Sequence, residues 1–195
     1  MRHRSTGSLV ALALVLTGAA AAPSPLRAAG LSAVEQRLVA RIDANRERAI
    51  DLLRRAVDQP SATENLDGVR KVGAIFAAEL AGAGFETRWV GMPPEVGRAG
   101  HLVAEHPAGG GDPQSARGPR LLLIGHLDTV LEGEPFRRDG ERAFGSGASD
   151  MKGGNVVIVE ALRALSEEGL LAGRQVIVVL TGDEEDPGEP HTVSR

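Results

Sequence analysis

"RQVIVVLTGDEED" runs from Arg174 to Asp186. The aliphatic stretch Val176–Leu180 passes directly into four consecutive carboxylates, Asp183, Glu184, Glu185 and Asp186. A short continuous run rich in Val and Ile reads as a central strand. Four like charges in a row repel one another. The strand therefore ends either in a solvated turn or beside something positive. Upstream, "RLLLIGHLD" (Arg120–Asp128) is a second continuous apolar run, which predicts another central strand, buried on both faces. Between the two, "GGNVVIVEALRALSEEG" (Gly153–Gly169) reads as a helix closed by Gly169. Strand, helix, strand with apolar strands argues for an α/β sheet with helices packed on its faces.

Working toward the N-terminus, "HLVAEHP" (His101–Pro107) and "FETRWVGM" (Phe85–Met92) read as further strands. A helix is expected from about Leu66 to Leu80, ended by Gly82 and Gly84. Before it, Ser32 and Glu35 fit a capping box. They open one long helix whose Val34, Leu38, Ile42, Ile50, Leu53 and Val57 share a face, stopped by Pro60. Residues 107–119, "PAGGGDPQSARGP", have no apolar period and read as a hairpin-like loop excursion.

The chain has 195 residues, 42% hydrophobic and 25% charged, enough for one domain with a real core. Its net charge of −4, absence of Tyr and single Trp leave no basic footprint and little stacking surface, which argues against a nucleic-acid partner. Cys is absent, so disulfides, thiolate zinc sites and a Cys nucleophile are excluded, and any metal must be held by His and carboxylates. Residues 1–29 begin with Arg2 and Arg4, continue through an apolar stretch of about 14 residues (Leu9–Ala22) and end in small residues. This is the pattern of a secretory signal peptide, too short to span a bilayer comfortably. It predicts an exported protein, periplasmic or secreted, with no stable membrane partner. An uncleaved N-terminal anchor is the competing reading.

Ligands of open α/β sheets bind beyond the carboxyl ends of the strands. Three polar clusters fall there. In "GHLDTV", His126 and Asp128 are two apart, so in extended backbone they share a face, and Asp128 can reach the imidazole and fix its tautomer. Taken alone, such a pair is more often a polar turn. In "FGSGASDMKGG" (Phe144–Gly154), glycines surround Asp150 and Lys152 just before a helix N-terminus. Taken alone, a Gly-rich turn with an N-cap Asp is the favoured reading, and the phosphate-loop spacing is missing. The third cluster is the acidic turn itself. Two cations roughly 3.5–4 Å apart would supply the charge to hold it.

These three motifs, His126-Leu127-Asp128, "GSGASDMKGG" and "TGDEE", in this order and at these separations, resemble the catalytic domain of the M20 family of metallopeptidases, glutamate carboxypeptidase-like members especially. "QPSATENLDGVRKVGAIFAAEL" (Gln59–Leu80) and "GAGFET" also resemble that family. The resemblance implies a zinc-exopeptidase-like α/β fold, a mixed or parallel sheet flanked by helices, with residues 30–195 as a partial catalytic domain. It implies that His126, Asp150 and Glu185 are metal ligands, Asp150 bridging two zinc ions. Co or Mn also suits His plus carboxylates. It implies that Asp128 orients His126, that Glu184 is the general base on the metal-bridging water, and that Asp150–Met151 is a candidate cis peptide. The implied activity is hydrolysis of peptide or amide bonds in small peptides or N-acyl amino acids.

Two features depart from the family. "DPGEPHTVSR" replaces the usual Gly-Ser-rich continuation after "TGDEE". Family members also need one more carboxylate ligand, a late His, and a smaller lid and dimerisation domain, none of which is present by Arg195. The expectation is an N-terminal fragment of a zinc peptidase, with a homodimer formed only by the full-length protein. The alternative is a catalytically inactive chain, at most a weak metal-binding or structural domain. His191 is a poor substitute ligand, and His101 and His106 are expected at strand edges. A sheet without its later strands would expose edges and lower solubility.

Overall fold

The computed structural model describes residues 30–107 and 120–189. Residues 1–29, expected to be a signal peptide, nearly all of segment 107–119, expected to be a loop, and residues 190–195 with His191 lie outside them. Four helices and six strands follow in chain order: α1 (Ala33–Ala44), α2 (Arg46–Val57), α3 (Leu66–Gly82), β1 (Glu86–Val90), β2 (His101–His106), β3 (Leu121–His126), β4 (Arg137–Asp139), β5 (Arg142–Phe144), α4 (Gly153–Glu167) and β6 (Val176–Thr181). The main sheet has the order β1-β2-β6-β3, and β4 and β5 form a separate antiparallel pair.

The class is α/β with a mixed sheet, as expected. β3 and β6 are parallel and joined through α4, with Leu121 opposite Val176 and His126 opposite Thr181. β2 runs antiparallel to β6, and β1 antiparallel to β2. One sheet face carries Leu102, Ala104, Val176, Val178 and Leu180. These pack with Leu52 and Ala56 of α2, Val69, Val72, Phe76 and Leu80 of α3, and Val156, Val159 and Leu162 of α4 into one core.

Three expectations are corrected. β3 is not a central strand buried on both faces: among the described strands it lies at the sheet edge, with Leu122 55% and Ile124 64% exposed. An apolar run reports composition, whereas burial depends on which elements come to cover it. The 107–119 segment does not close a hairpin, because β6 lies between β2 and β3. The long N-terminal helix is two helices, broken at Asn45 (φ −98°, ψ 6°). Asn is a weak helix former that favours caps and turns, although the Asn45 side chain makes no capping bond to α2. The Ser32–Glu35 capping box does form, with Ser32 N donating to Glu35 Oε2 at 2.7 Å and Glu35 N to Ser32 Oγ at 3.3 Å. Yet α1 buries no residue, and Val34 and Ile42 remain exposed. Ion pairs tie α1 to the end of α4: Arg37 to Glu168 at 2.8 Å, and Arg41 to Glu167 at 2.9 Å and to Glu168 at 2.5 Å.

Candidate metal centre

The parallel pair β3/β6 delivers two of the three polar clusters side by side. Past its last residue, β3 stays zipped to β6 through Leu127 N donating to Thr181 O at 2.7 Å. The chain then turns inward at Asp128, which is fully buried. A buried carboxylate must have its oxygens satisfied. Asp128 Oδ2 accepts from Thr63 Oγ1 at 2.8 Å and from Glu185 N at 3.0 Å, and Oδ1 accepts from Glu184 N at 3.2 Å. Burial alone would raise the Asp128 carboxyl, but the interaction with His126, followed by the bonds from Thr63 and the Glu185 and Glu184 amides, outweighs it and holds the carboxyl below its ordinary range.

This resolves the crowding of the acidic turn. Asp128 grips the main chain at Glu184 and Glu185, and the four side chains diverge. Asp183 turns inward, 5% exposed, with Oδ1 at 3.8 Å from His101 Nδ1. Asp186 turns outward, where Arg98 donates from Nη2 to its Oδ2 at 2.6 Å and from Nε to its main-chain O at 2.7 Å. Glu184 and Glu185 are left facing His126: one ligand atom from each of the three lies within 4.8 Å of the others.

His126 is 4% exposed. Its Nδ1 lies 3.0 Å from the Asp128 main-chain O and 3.5 Å from Asp128 Oδ1. A proton on Nδ1 donated to that carbonyl leaves Nε2 as the free ligand nitrogen. Asp128 thus orients the ring more through its carbonyl than through its carboxylate. Asn155 Nδ2, from the first turn of α4, donates to His126 O at 2.6 Å and fixes the backbone there.

Asp150 arrives from the third cluster. Ala148–Lys152 form a kinked turn in front of α4, non-helical at Asp150 (φ −124°, ψ 102°), and the Asp150–Met151 peptide is cis, as the resemblance implied. Gly147 opens this turn at φ +72°, and a Cβ there would collide with Thr129. The turn places Asp150 Oδ1 3.1 Å from His126 Nε2, while Glu184 Oε2 lies 3.8 Å from the same nitrogen. Behind it Lys152 is buried, its Nζ donating to Gln59 O at 3.0 Å. Burial, only partly offset by the charge of Glu132, lowers the Lys152 pKa to about 8.

The donor set fits a divalent cation. One imidazole nitrogen of His126 and a carboxylate oxygen from each of Glu184 and Glu185 converge, Asp150 adjoins them through its contact with His126 Nε2, and among the described residues the salt bridges of Asp150 and Glu184 go to His126. Burial lowers the His126 pKa, but the bonds to Asp128 and Asp150 more than reverse this and raise it to about 9. Burial, with the charges of Asp150, Glu184 and Asp128, pushes the Glu185 carboxyl up against the opposing pull of His126. Neighbouring carboxylates contribute to both shifts, by hydrogen bonds at His126 and by charge, after burial, at Glu185. His plus carboxylates suits Zn, Co or Mn.

All five site residues expected from the sequence, His126, Asp128, Asp150, Glu184 and Glu185, meet here. His101 and His106 stand at the two ends of β2, where His106 packs edge-on against Phe85. Sequence reasoning passed over Thr63, Asn155 and Arg98. Asn155 had a faint signal, being a polar residue in an otherwise apolar helix stretch. Thr63 had none.

The sequence model of peptidase family M20/M25/M40 matches residues 122–194. The chain is 33% identical over 141 residues to carboxypeptidase G2 of Pseudomonas sp. (strain RS-16), spanning 70% of this chain and 32% of that protein. It is 37% identical over 145 residues to succinyl-diaminopimelate desuccinylase of Methylobacterium sp. (strain 4-46), spanning 69% and 34%. The chain thus spans about a third of the length of these curated relatives. Its fold is shared with the di-peptidase Dug1p of Saccharomyces cerevisiae (TM-score 0.63, 18% identity, 77% of this chain and 35% of that one). It is equally shared with human carnosine dipeptidase 1 (TM-score 0.63, 20% identity, 80% and 36%). By its family match and its curated relatives, with a fold that agrees, the chain belongs to the M20 family of metallopeptidases.

Proposed function

We propose that this chain carries the metal-binding part of an exported M20-type hydrolase that cleaves peptide or amide bonds in small peptides or N-acyl amino acids. The observation that carries the reading is the convergence of His126, Asp150, Glu184 and Glu185 beyond the carboxyl ends of two parallel strands, around a buried Asp128. In this reading His126, Asp150 and Glu185 would hold the metal. Bound zinc, or Co or Mn in its place, supplies Lewis acidity that acidifies water and polarises a carbonyl.

The chain's own residues do the rest. Asp128 fixes the imidazole of His126 so that Nε2 faces the cluster. Glu184 is well exposed beside it and takes the proton of the attacking water, then passes it to the leaving amine. A cleft of about 740 Å³ opens beside Asp150 and Glu185, with Val130, Leu131, Phe144 and Arg137 among its lining residues. Its size suits a small, partly apolar substrate. The leader pattern at residues 1–29 supports export.

The test is Glu184→Gln in zinc-loaded protein, assayed on dipeptides and N-acyl amino acids. Metal content should stay unchanged while turnover falls by about 10²–10⁴-fold. Retention of most activity would sink the base assignment. The same assay separates this from a second reading, metal binding without turnover. Stoichiometric zinc without hydrolysis of any of these substrates would select it.

A further inference from the structure

The turn between α2 and α3, residues 58–65, reaches both loops of the cluster. Ser61 Oγ donates to Leu127 O at 2.9 Å, and Thr129 N donates back to Ser61 O at 2.9 Å. Ala62 pairs with Thr129 as an isolated parallel bridge. Gln59 O receives Lys152 Nζ at 3.0 Å, which pins the Asp150 turn from behind. Glu132 Oε1 accepts from Ala62 N and from Asn65 Nδ2, each at 2.7 Å. Asn65 also caps α3, its Oδ1 accepting from Gly68 N at 3.0 Å, so the turn is anchored at its far end.

Within this turn Thr63 has a distinct place. It is buried, and its hydroxyl donates to Asp128 Oδ2, the oxygen that also accepts from Glu185 N. A carboxylate rotates about its Cβ–Cγ bond unless its oxygens are separately engaged. The Glu184 and Glu185 amides engage one oxygen each, both from the acidic turn that Asp128 itself must hold, and Thr63 adds a donor to Oδ2 from a different element, 65 residues from Asp128 in sequence. We infer that Thr63 is a positioning residue for the metal cluster, acting through Asp128 to set the acidic turn and His126 at the spacing a cation needs. The inference rests on the metal-centre reading above. Removing a supporting partner of this kind costs about 10–100-fold in metal affinity.

The experiment is a calorimetric zinc titration of the chain with Thr63→Val and Thr63→Ser, paired with hydrogen exchange at the Glu184 and Glu185 amides in metal-free protein. Thr63→Val keeps the shape and removes the donor. It should weaken zinc by about 10–100-fold and speed exchange at both amides. Thr63→Ser should restore both. Thr63→Ala, which leaves room for a water, replaces Thr63→Val should that variant not fold, with a smaller loss in the same direction. A purely structural Thr63 would lower the melting temperature and leave zinc affinity and amide protection unchanged in the folded variant. That result would overturn the inference. Absence of zinc binding in the unsubstituted chain would overturn the metal reading instead, and amide exchange would still decide what Thr63 does.

Discussion

Strand β3 and its continuation carry two opposite environments on one face. Alternate residues of extended backbone point the same way, so Leu122, Ile124 and His126 form a row, and Asp128 follows where the chain turns inward past the strand. The apolar pair is 55% and 64% exposed, and the polar pair is 4% and 0% exposed. This inverts the usual preference of apolar residues for the interior. The polar burial is fully partnered: Asp128 has Thr63 and two main-chain amides, and His126 has the Asp128 carbonyl and Asp150. The exposed half lies at the edge of the sheet, where composition decides little. Order in this strand is concentrated at the end that meets the cluster.

Substitutions at the two ends of the row should therefore behave in opposite ways. Asp128→Ala leaves buried donors from Thr63, Glu184 and Glu185 without an acceptor. It should cost on the order of 3 kcal/mol in denaturant unfolding of the metal-free chain. A loss below about 1 kcal/mol would break the contrast, since ordinary surface changes lie near that size.

Protonation sharpens it next. In metal-free protein His126 titrates near 9, against 6.5 for an unperturbed imidazole. Its stabilising contribution is fully present below pH 6.5 and is lost as pH rises through about 9. Lys152 runs the other way: its folded value of about 8 lies below 10.5, so its charge opposes folding at low pH and that cost lifts as pH rises from 8 to 10.5. Melting sums the two, so the imidazole should be followed directly by NMR. Asp150→Asn should bring its pKa down, because the Asp150 bond is one of the interactions that raises it. An unchanged imidazole titration in that variant would show that Asp150 does not face Nε2.

The smallest effect is expected at the exposed end. Ile124→Lys should shift stability by no more than about 0.5 kcal/mol and reduce self-association at the uncovered edge. A loss above about 2 kcal/mol would mean that this end is buried after all, and the comparison would fail.

The chemistry of this chain is more legible in its sequence than its packing. His126, Asp128, Asp150, Glu184 and Glu185 announce themselves because each interrupts an apolar or Gly-rich stretch at a strand or helix end. The parallel β3–α4–β6 unit is legible for the same reason, through two apolar runs bracketing a helical one. The edge position of β3 is not, because β6 enters between β2 and β3 from far along the chain. Nor does local pattern reveal that Arg37 and Arg41 of α1 pair with Glu167 and Glu168, remote in sequence. Thr63 and Asp128 are joined by a bond that no spacing rule anticipates.

The central claim, that the carboxyl ends of β3 and β6 form a metal centre with the Asp150 turn, is tested most directly by zinc binding. The metal-free chain should be titrated with zinc beside its His126→Ala and Asp150→Ala variants, with folding of each checked by circular dichroism. The account predicts stoichiometric zinc in the unsubstituted chain and its loss in both folded variants. Equal zinc affinity in all three, or none in the unsubstituted chain, would contradict it.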